Sequence, residues 1–389
     1  MDELPWNRQR LRSNNEWLLL EHLRNEGPSS RAQLARDTGL SKPTVSSALA
    51  ALQSNGLVRE VGTVASERGR TAVLYEPDPT AGYVLGIDIG RTRVRAAVAD
   101  LSGKVLARND IANRARTAAA VAEVATQAAD QVLATAEVAA DQVVHVALGS
   151  PGVFDPEDGR VHFAVNLPGW GRAGLLGDIG KRLGGLELSM HNDANLAALG
   201  EYEFGVGRGS RLFVYVLLGT GLGVGIVSQG ELFTGAHGAA GEVGFLPATF
   251  GAPKAESHRR GALEEAVSAE AVVRAAKDRG MTGRLTAKRV FEAARAGDPI
   301  AADVVRQEGE RVALVVAAVT AVLDPDVIVL GGGLGHSSDL LLDQVRAALQ
   351  RSTPLRPTVA SSELGDDAVL LGAIATALRI ARPQVFGRR

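Results

Sequence analysis

Two glycine-rich stretches in this chain each fall between a pair of apolar, β-branched runs, and no other feature limits the fold as strongly. The first is Gly86-Ile-Asp-Ile-Gly-Arg-Thr-Arg-Val-Arg95, with residues 83–89 and 94–99 reading as strands on either side. The second is Leu218-Gly-Thr-Gly-Leu-Gly-Val-Gly225, between the runs 212–218 and 223–227. A dinucleotide-binding fingerprint needs a strand followed by a helix, so a chain that turns straight back into a second strand is a different device. Glycine lets such a hairpin approach phosphate oxygens, the Thr92 hydroxyl can donate to them, and Asp88 can hold a hydrated magnesium ion. One such loop also fits a merely structural tight hairpin. Its repetition predicts a two-lobed phosphate cleft, walled on a third side by Gly331-Gly-Gly-Leu-Gly335, near an adenosine, after the strand 327–330. The candidate loop residues are Asp88, Gly90, Thr92, Gly219, Thr220, Gly221 and Gly332.

The rest of the chain agrees with an α/β class. Residues 143–148 read as a further strand, and 116–139, 193–204, 300–323, 338–350 and 366–381 as helices, with no clear short-period repeat. A chain of 389 residues, 46% hydrophobic and 22% charged, can bury two or three cores. With no cysteine it has neither disulfides nor a thiolate metal site. The longest strongly apolar run, 312–323, falls short of the ~20 residues a bilayer span needs, and no membrane association is expected; the reading is a cytoplasmic protein.

Between the two loops lies His191-Asn-Asp-Ala-Asn195, where a strand meets the 193–204 helix. A carboxylate there can accept the proton of an attacking sugar hydroxyl, with Asn192 orienting that hydroxyl. Asp193 can equally be the N-cap of the helix, and both roles can coexist.

Residues 1–75 have a different character. Trp17, Leu18, Leu20 and Leu23 recur at helical spacing until Gly27-Pro28. Ser30 opens a short helix to Thr38 with Leu34 and Ala35 inward, and Gly39-Leu40 supplies a tight turn before a helix beginning at Ser41. On that last helix Val45, Leu49 and Leu52 face inward, while Ser41, Lys42, Pro43, Thr44, Ser46 and Ser47 form an N-terminal face without a carboxylate. Such a face suits a phosphate-lined major groove. A strand from 56, a tip at Glu67-Arg-Gly-Arg70 and a strand 72–75 make a wing, with Arg68 and Arg70 placed for DNA. Residues 28–75 carry six basic against three acidic side chains, although the whole chain has a net charge of −2. A helical module that binds protein instead is the competing reading. Residues 76–82 form a linker, and 83–389 a second domain with one lobe at 83–190 plus 366–389 and another at 191–365.

These motifs, with Asn166-Leu-Pro-Gly-Trp170 and Gly238-Ala-Ala-Gly-Glu-Val-Gly244, resemble the ROK family of bacterial repressors, open reading frames and sugar kinases over nearly the whole chain. The resemblance implies an actin-like, ribonuclease H-like two-lobed sugar-kinase domain behind a winged helix-turn-helix. It implies sugar contacts from Gly152, Asn192, Asp193, Glu242 and Glu264, with Asp193 catalytic in a kinase. It also implies a structural zinc on one His and three Cys, but those positions read Phe245, Ala255, Ser257 and Ala262, so no zinc is expected, although Gly261 and Glu264 are kept. Arg91 stands where kinase members usually carry glycine; its side chain crowds the backbone approach and argues against a working ATP-magnesium site, although an arginine can also pair with phosphate. The reading is a DNA-binding regulator, a repressor of carbohydrate-related genes that binds operator DNA as a homodimer or homotetramer and takes a sugar or sugar derivative as effector. An active ATP-dependent sugar kinase with a DNA-binding arm, and a regulator that uses the kinase-like domain only to dimerise, are the alternatives.

Overall fold

The computed structural model describes residues 8–65, 71–155, 157–162, 164, 167, 169–247 and 261–387, with side chains from residue 13 onward. The N-terminal arm comes first: helices α1 (Arg8–Glu26), α2 (Arg31–Thr38) and α3 (Lys42–Ser54), with strands β1 (Ser29–Ser30), β2 (Val58–Ala65) and β3 (Thr71–Pro77) in one antiparallel sheet. Ser30 and Ser41 cap α2 and α3, each side-chain oxygen accepting the N–H three residues on at 3.2 Å. Gly39 between them holds φ +71°, the left-handed conformation that ends α2 and turns the chain. Leu19, Leu20, Leu23, Leu34, Val45, Leu49, Leu52 and Tyr75 form the core of the arm. Leu18, expected inside, is 44% exposed, because the buried stripe of α1 runs through Leu19, Leu20 and Leu23. The expected linker is partly structured: Glu76 and Pro77 complete β3, and Pro79–Ala81 form a 3-10 turn capped by Asp78.

The second domain holds two five-stranded sheets of one topology. Strands β4 (Tyr83–Ile89), β5 (Arg93–Asp100) and β6 (Val105–Ala112) form an antiparallel meander; β7 (Val143–Ser150) runs parallel to β4, and the hairpin β8 (Val153–Asp155) and β9 (Arg160–His162) follows. Strand β10 (Leu188–Asn192) then pairs parallel with β7, so residues 191 and 192 finish a strand of the first sheet. The second sheet repeats the scheme: β11 (Leu212–Leu218), β12 (Leu222–Ser228) and β13 (Glu231–Leu232) are antiparallel, and β14 (Val327–Gly331) and β15 (Val359–Ser361) add in parallel. Both therefore read meander, then two parallel strands, the arrangement of a duplicated lobe.

The helices are α4 (Ala118–Thr135), α5 (Leu175–Arg182), α6 (Asp193–Phe204), α7 (Ala262–Val267), α8 (Ala269–Asp278), α9 (Ala287–Arg295), α10 (Pro299–Leu323), α11 (Gly332–Gly335), α12 (Ser338–Ser352) and α13 (Ala368–Gly387). Between the sheets lie α6, on β11 and β12, and α13, on β4 and β7. Glycine makes the crossing of these two helices close. A Cβ on Gly372 would stand 1.8 Å from the Leu196 carbonyl oxygen, and one on Gly200 2.3 Å from that of Ala368. Residues 365–387 are the one described helical stretch long and apolar enough to cross a bilayer, but half of it is buried in this layer. The far end of α13 reaches the N-terminal arm, where Phe386 meets Trp17 edge-on at 4.9 Å.

Candidate functional site

The cleft between the lobes is floored by the first turn of α6. Asn192 is the N-cap of α6, its Oδ1 accepting the Asn195 N–H at 3.1 Å, so the capping role considered for Asp193 belongs to its neighbour. The Asn192 Nδ2 donates to the Gly152 carbonyl at 3.1 Å, which leaves one N–H of that amide for a ligand. Gly152 sits at φ +91°, and a Cβ there would stand 2.5 Å from the His162 carbonyl oxygen, so no other residue fits. The strand leading to it is anchored by the buried Trp170, whose indole N–H donates to the Ser150 hydroxyl at 2.6 Å. Asn166, from the same stretch, lies outside the described residues.

Asp193 projects from the first helical turn, and burial pushes its carboxyl up to about 6 against the N–H of Ala194 donating at 2.8 Å. Strand β12 lies flush beneath: a Cβ on Gly225 would come 2.2 Å from the Ala194 carbonyl oxygen. Glu242 faces the same space; burial first, then the charges of Asp193 and Glu264, push it up to about 7. Glu264, on α7, accepts the Leu222 N–H at 3.2 Å and crowds Gly221, tying the carboxylate cluster to the second glycine loop. Glycine is obligatory at 241 and 261 as well, where an added Cβ would meet the Val224 and Gly244 carbonyl oxygens at 1.9 and 2.3 Å.

The glycine loops converge on one cleft. Gly332, at φ +77°, packs against the Leu218 carbonyl oxygen, and the Ala269 N–H donates to the Gly219 carbonyl at 2.9 Å. Thr220 is half-buried beside them, and Thr92 is exposed. The first loop is closed by the Gly90 N–H donating to the Arg93 carbonyl at 2.9 Å. It is clamped by Asn113, which sequence reasoning missed: buried, it donates from Nδ2 to the Gly90 carbonyl at 2.8 Å and from its backbone to Thr92 at 2.7 Å.

Asp88 is not free to hold a cation. Its buried carboxylate lies 3.1 Å from the Arg95 guanidinium, directly across the hairpin, and Arg95 is also within reach of Asp110 and Asp366 at 3.4 and 3.7 Å. Burial still pushes Asp88 up to about 7, with Arg95 opposing and Asp193 adding to the rise. A hydrated magnesium ion would have to displace a guanidinium, so the residues present do not fit it. Arg91 adds an exposed contact of 3.9 Å to Glu270 on α8, from one lobe to the other. The zinc ligand set implied by the family does not fit either. Phe245, Ala255 and Ala262 offer no donor and Ser257 only a neutral hydroxyl, Ala255 and Ser257 lying outside the described residues. The Phe245 ring is 40% exposed.

On α3, Lys42, Pro43 and Ser47 are exposed, while Thr44 and Ser46 are half-buried. The Ser41 and Thr44 hydroxyls share a hydrogen bond of 2.8 Å, so both serve the cap. Arg68 and Arg70 lie outside the described residues.

Fold and site together define a winged helix-turn-helix regulator whose second domain is a two-lobed, actin-like sugar-kinase fold. The ROK family profile matches residues 84–380 and the MarR family profile matches residues 12–69, and the chain belongs to the ROK family. The glucokinase of Thermotoga maritima is 30% identical over 310 residues, 75% of this chain and 95% of its own length. The xylose repressor of Caldicellulosiruptor bescii is 27% identical over 384 residues, 94% of this chain and 95% of its own. A solved ROK family transcriptional regulator, described as a homolog of the E. coli MLC protein, superposes with a TM-score of 0.78 over 97% of this chain and 99% of its own at 24% identity, a likeness of fold. The glucokinase alignment covers the kinase-like part in extent, whereas the regulators run through the DNA-binding arm as well.

Proposed function

We propose that this chain is a sugar-responsive transcriptional repressor that binds operator DNA through the N-terminal face of α3 and holds a sugar in the cleft without phosphorylating it. The observation that carries the reading is the fusion itself: the arm bearing Lys42 and Ser47 packs, through Trp17 and Phe386, on the same helix α13 whose other end crosses the Asp193 helix. Asn192, Asp193, Glu242 and Glu264, with Gly152 at the edge, supply the acceptors and the donor that a polyhydroxylated ligand needs. Two copies place their recognition helices in successive major grooves, so the operator is palindromic and the assembly a homodimer or homotetramer acting in the cytoplasm. The sugar acts only by its differential affinity for the DNA-competent and DNA-incompetent placements of the arms.

Kinase activity is the second reading, favoured by Asp193, whose carboxyl near neutrality suits a general base. The Asp88–Arg95 pair opposes it, since it removes the carboxylate that would hold magnesium beside the phosphates. The test is thermal unfolding with xylose, glucose and N-acetylglucosamine alongside a coupled ADP-release assay. At least one sugar is expected to raise the unfolding temperature, the shift vanishing in Asp193→Ala, with no sugar-dependent ADP release. ADP release abolished by Asp193→Ala would install the kinase reading instead.

A further inference from the structure

The DNA-binding arm and the first lobe enclose a cavity of about 510 Å³, well away from the sugar cleft. Arg24 and Leu57 of the arm line one side; Leu101, Lys104 and Arg382 line the other. Four carboxylates also border it, and each is engaged within the protein. Glu21 pairs with Arg24, and Glu76 with Arg59 at 2.7 Å. Asp78 accepts from the Thr80 N–H and hydroxyl at 2.9 and 2.7 Å, and Asp100 accepts the Ser102 and Lys104 N–H groups at 2.9 and 3.1 Å.

Arg24 and Arg59 are thus paired, whereas Arg382 and Lys104 are not balanced in the same way. Arg382 donates to the Leu101 carbonyl oxygen at 3.0 and 3.2 Å, and neither it nor Lys104 has a carboxylate within ion-pair distance among the described residues. Arg24, 15% exposed, lies over the Trp17 ring at 5.4 Å. Burial lowers the pKa of both arginines; Glu21 opposes that fall in both, with Glu203 and Asp100 adding at Arg382, while Arg382 deepens it at Arg24, so two part-buried guanidiniums still repel each other beside one cavity. An anion with several acceptor oxygens relieves that repulsion and takes the N–H groups that Glu21 leaves over on Arg24 and the Leu101 carbonyl leaves over on Arg382.

We propose that this cavity is a second effector site, for a phosphate-bearing small molecule held by Arg24, Arg382 and Lys104. Its occupant touches the DNA-binding arm and the kinase-like lobe at once, so it ties the placement of the arm to a metabolite other than the cleft sugar. The proposal does not depend on the sugar-sensing reading, which can fail while this site stands.

The test is titration of the full-length protein with inorganic phosphate against chloride at equal ionic strength, followed by calorimetry and thermal unfolding. Phosphate is expected to raise the unfolding temperature of the wild type, and Arg382→Gln to weaken binding about tenfold or more. Lys104→Gln, an exposed rim residue whose loss leaves the fold intact, is expected to weaken it about threefold, and decides the matter if Arg382→Gln does not fold. Lys288→Gln, an exposed lysine outside the cavity lining, is expected to bind phosphate as the wild type does. No thermal shift at millimolar phosphate, wild-type affinity in Lys104→Gln, or loss of binding in Lys288→Gln would each overturn the proposal.

Discussion

Replacing Gly372 by alanine sets two physical effects against each other, and the structure says which wins. Alanine is the better helix former by about 1 kcal/mol, so propensity alone predicts a more stable protein. The new Cβ, however, would stand 1.8 Å from the Leu196 carbonyl oxygen and 2.5 Å from its carbonyl carbon. Both atoms are backbone of α6 and cannot rotate aside, so α6 and α13 must part by more than an ångström. Overpacking into side chains costs about 1–3 kcal/mol, and a backbone obstacle places this case at the upper end or beyond. The net expectation is a loss of about 2 kcal/mol or more, read from the urea midpoint of unfolding. Because α6 carries Asn192 and Asp193, displacing it also stretches the Asn192–Gly152 bond and weakens sugar binding. Gly177→Ala, in α5 with open space around its Cβ, is the control and should gain about 1 kcal/mol. A Gly372→Ala protein as stable as the wild type, or stabilised like the control, would refute the close crossing of the two helices.

Three further outcomes are expected. Lys42→Ala should weaken DNA binding on every sequence alike and reduce the slope of log affinity against log salt by about one, measured by fluorescence anisotropy. Arg95→Met should destabilise the protein by about 1.5 kcal/mol more near pH 8 than near pH 5. The sign follows from Asp88: a carboxyl pushed up to about 7 contributes stability that is present below the ordinary carboxylate range and declines as pH rises. In the wild type that decline stops near 7, whereas without Arg95 it continues, which chemical denaturation at the two pH values reads directly. Sugar affinity, followed by calorimetry, should fall as pH drops through about 7 and 6, where Glu242 and then Asp193 take up protons and lose acceptor capacity.

What the sequence made legible was chiefly what local chemistry dictates. Strand, glycine turn and strand again can only be a hairpin, and Ser30, Gly39 and Ser41 mark helix ends by the groups they satisfy. Register lay one step further. Once the hairpin turns at Gly90, counting back pairs Asp88 with Arg95, but the sequence reading puts Arg95 in the returning strand and gives it no partner. The Asn113 clamp had no such signal, because an asparagine in a polar run looks the same whether it faces water or a carbonyl 23 residues away. Strand β6 escaped for a related reason: it is an edge strand whose Arg108, Asn109 and Asp110 give it no apolar stripe. The shared topology of the two sheets was hidden too, since each lobe fills its core with different side chains and only the order of strands repeats.

The central claim is that α3 reads DNA under the control of the sugar cleft. It is met most directly by selecting bound fragments from the source genome with the full-length protein at moderate salt, then measuring affinity for the recovered site with and without each sugar. The account predicts a palindromic site preferred over random duplex, with affinity altered by the same sugar that raises the unfolding temperature and unaltered in Asp193→Ala. No preference over random duplex, or a site whose affinity no sugar changes, would contradict it.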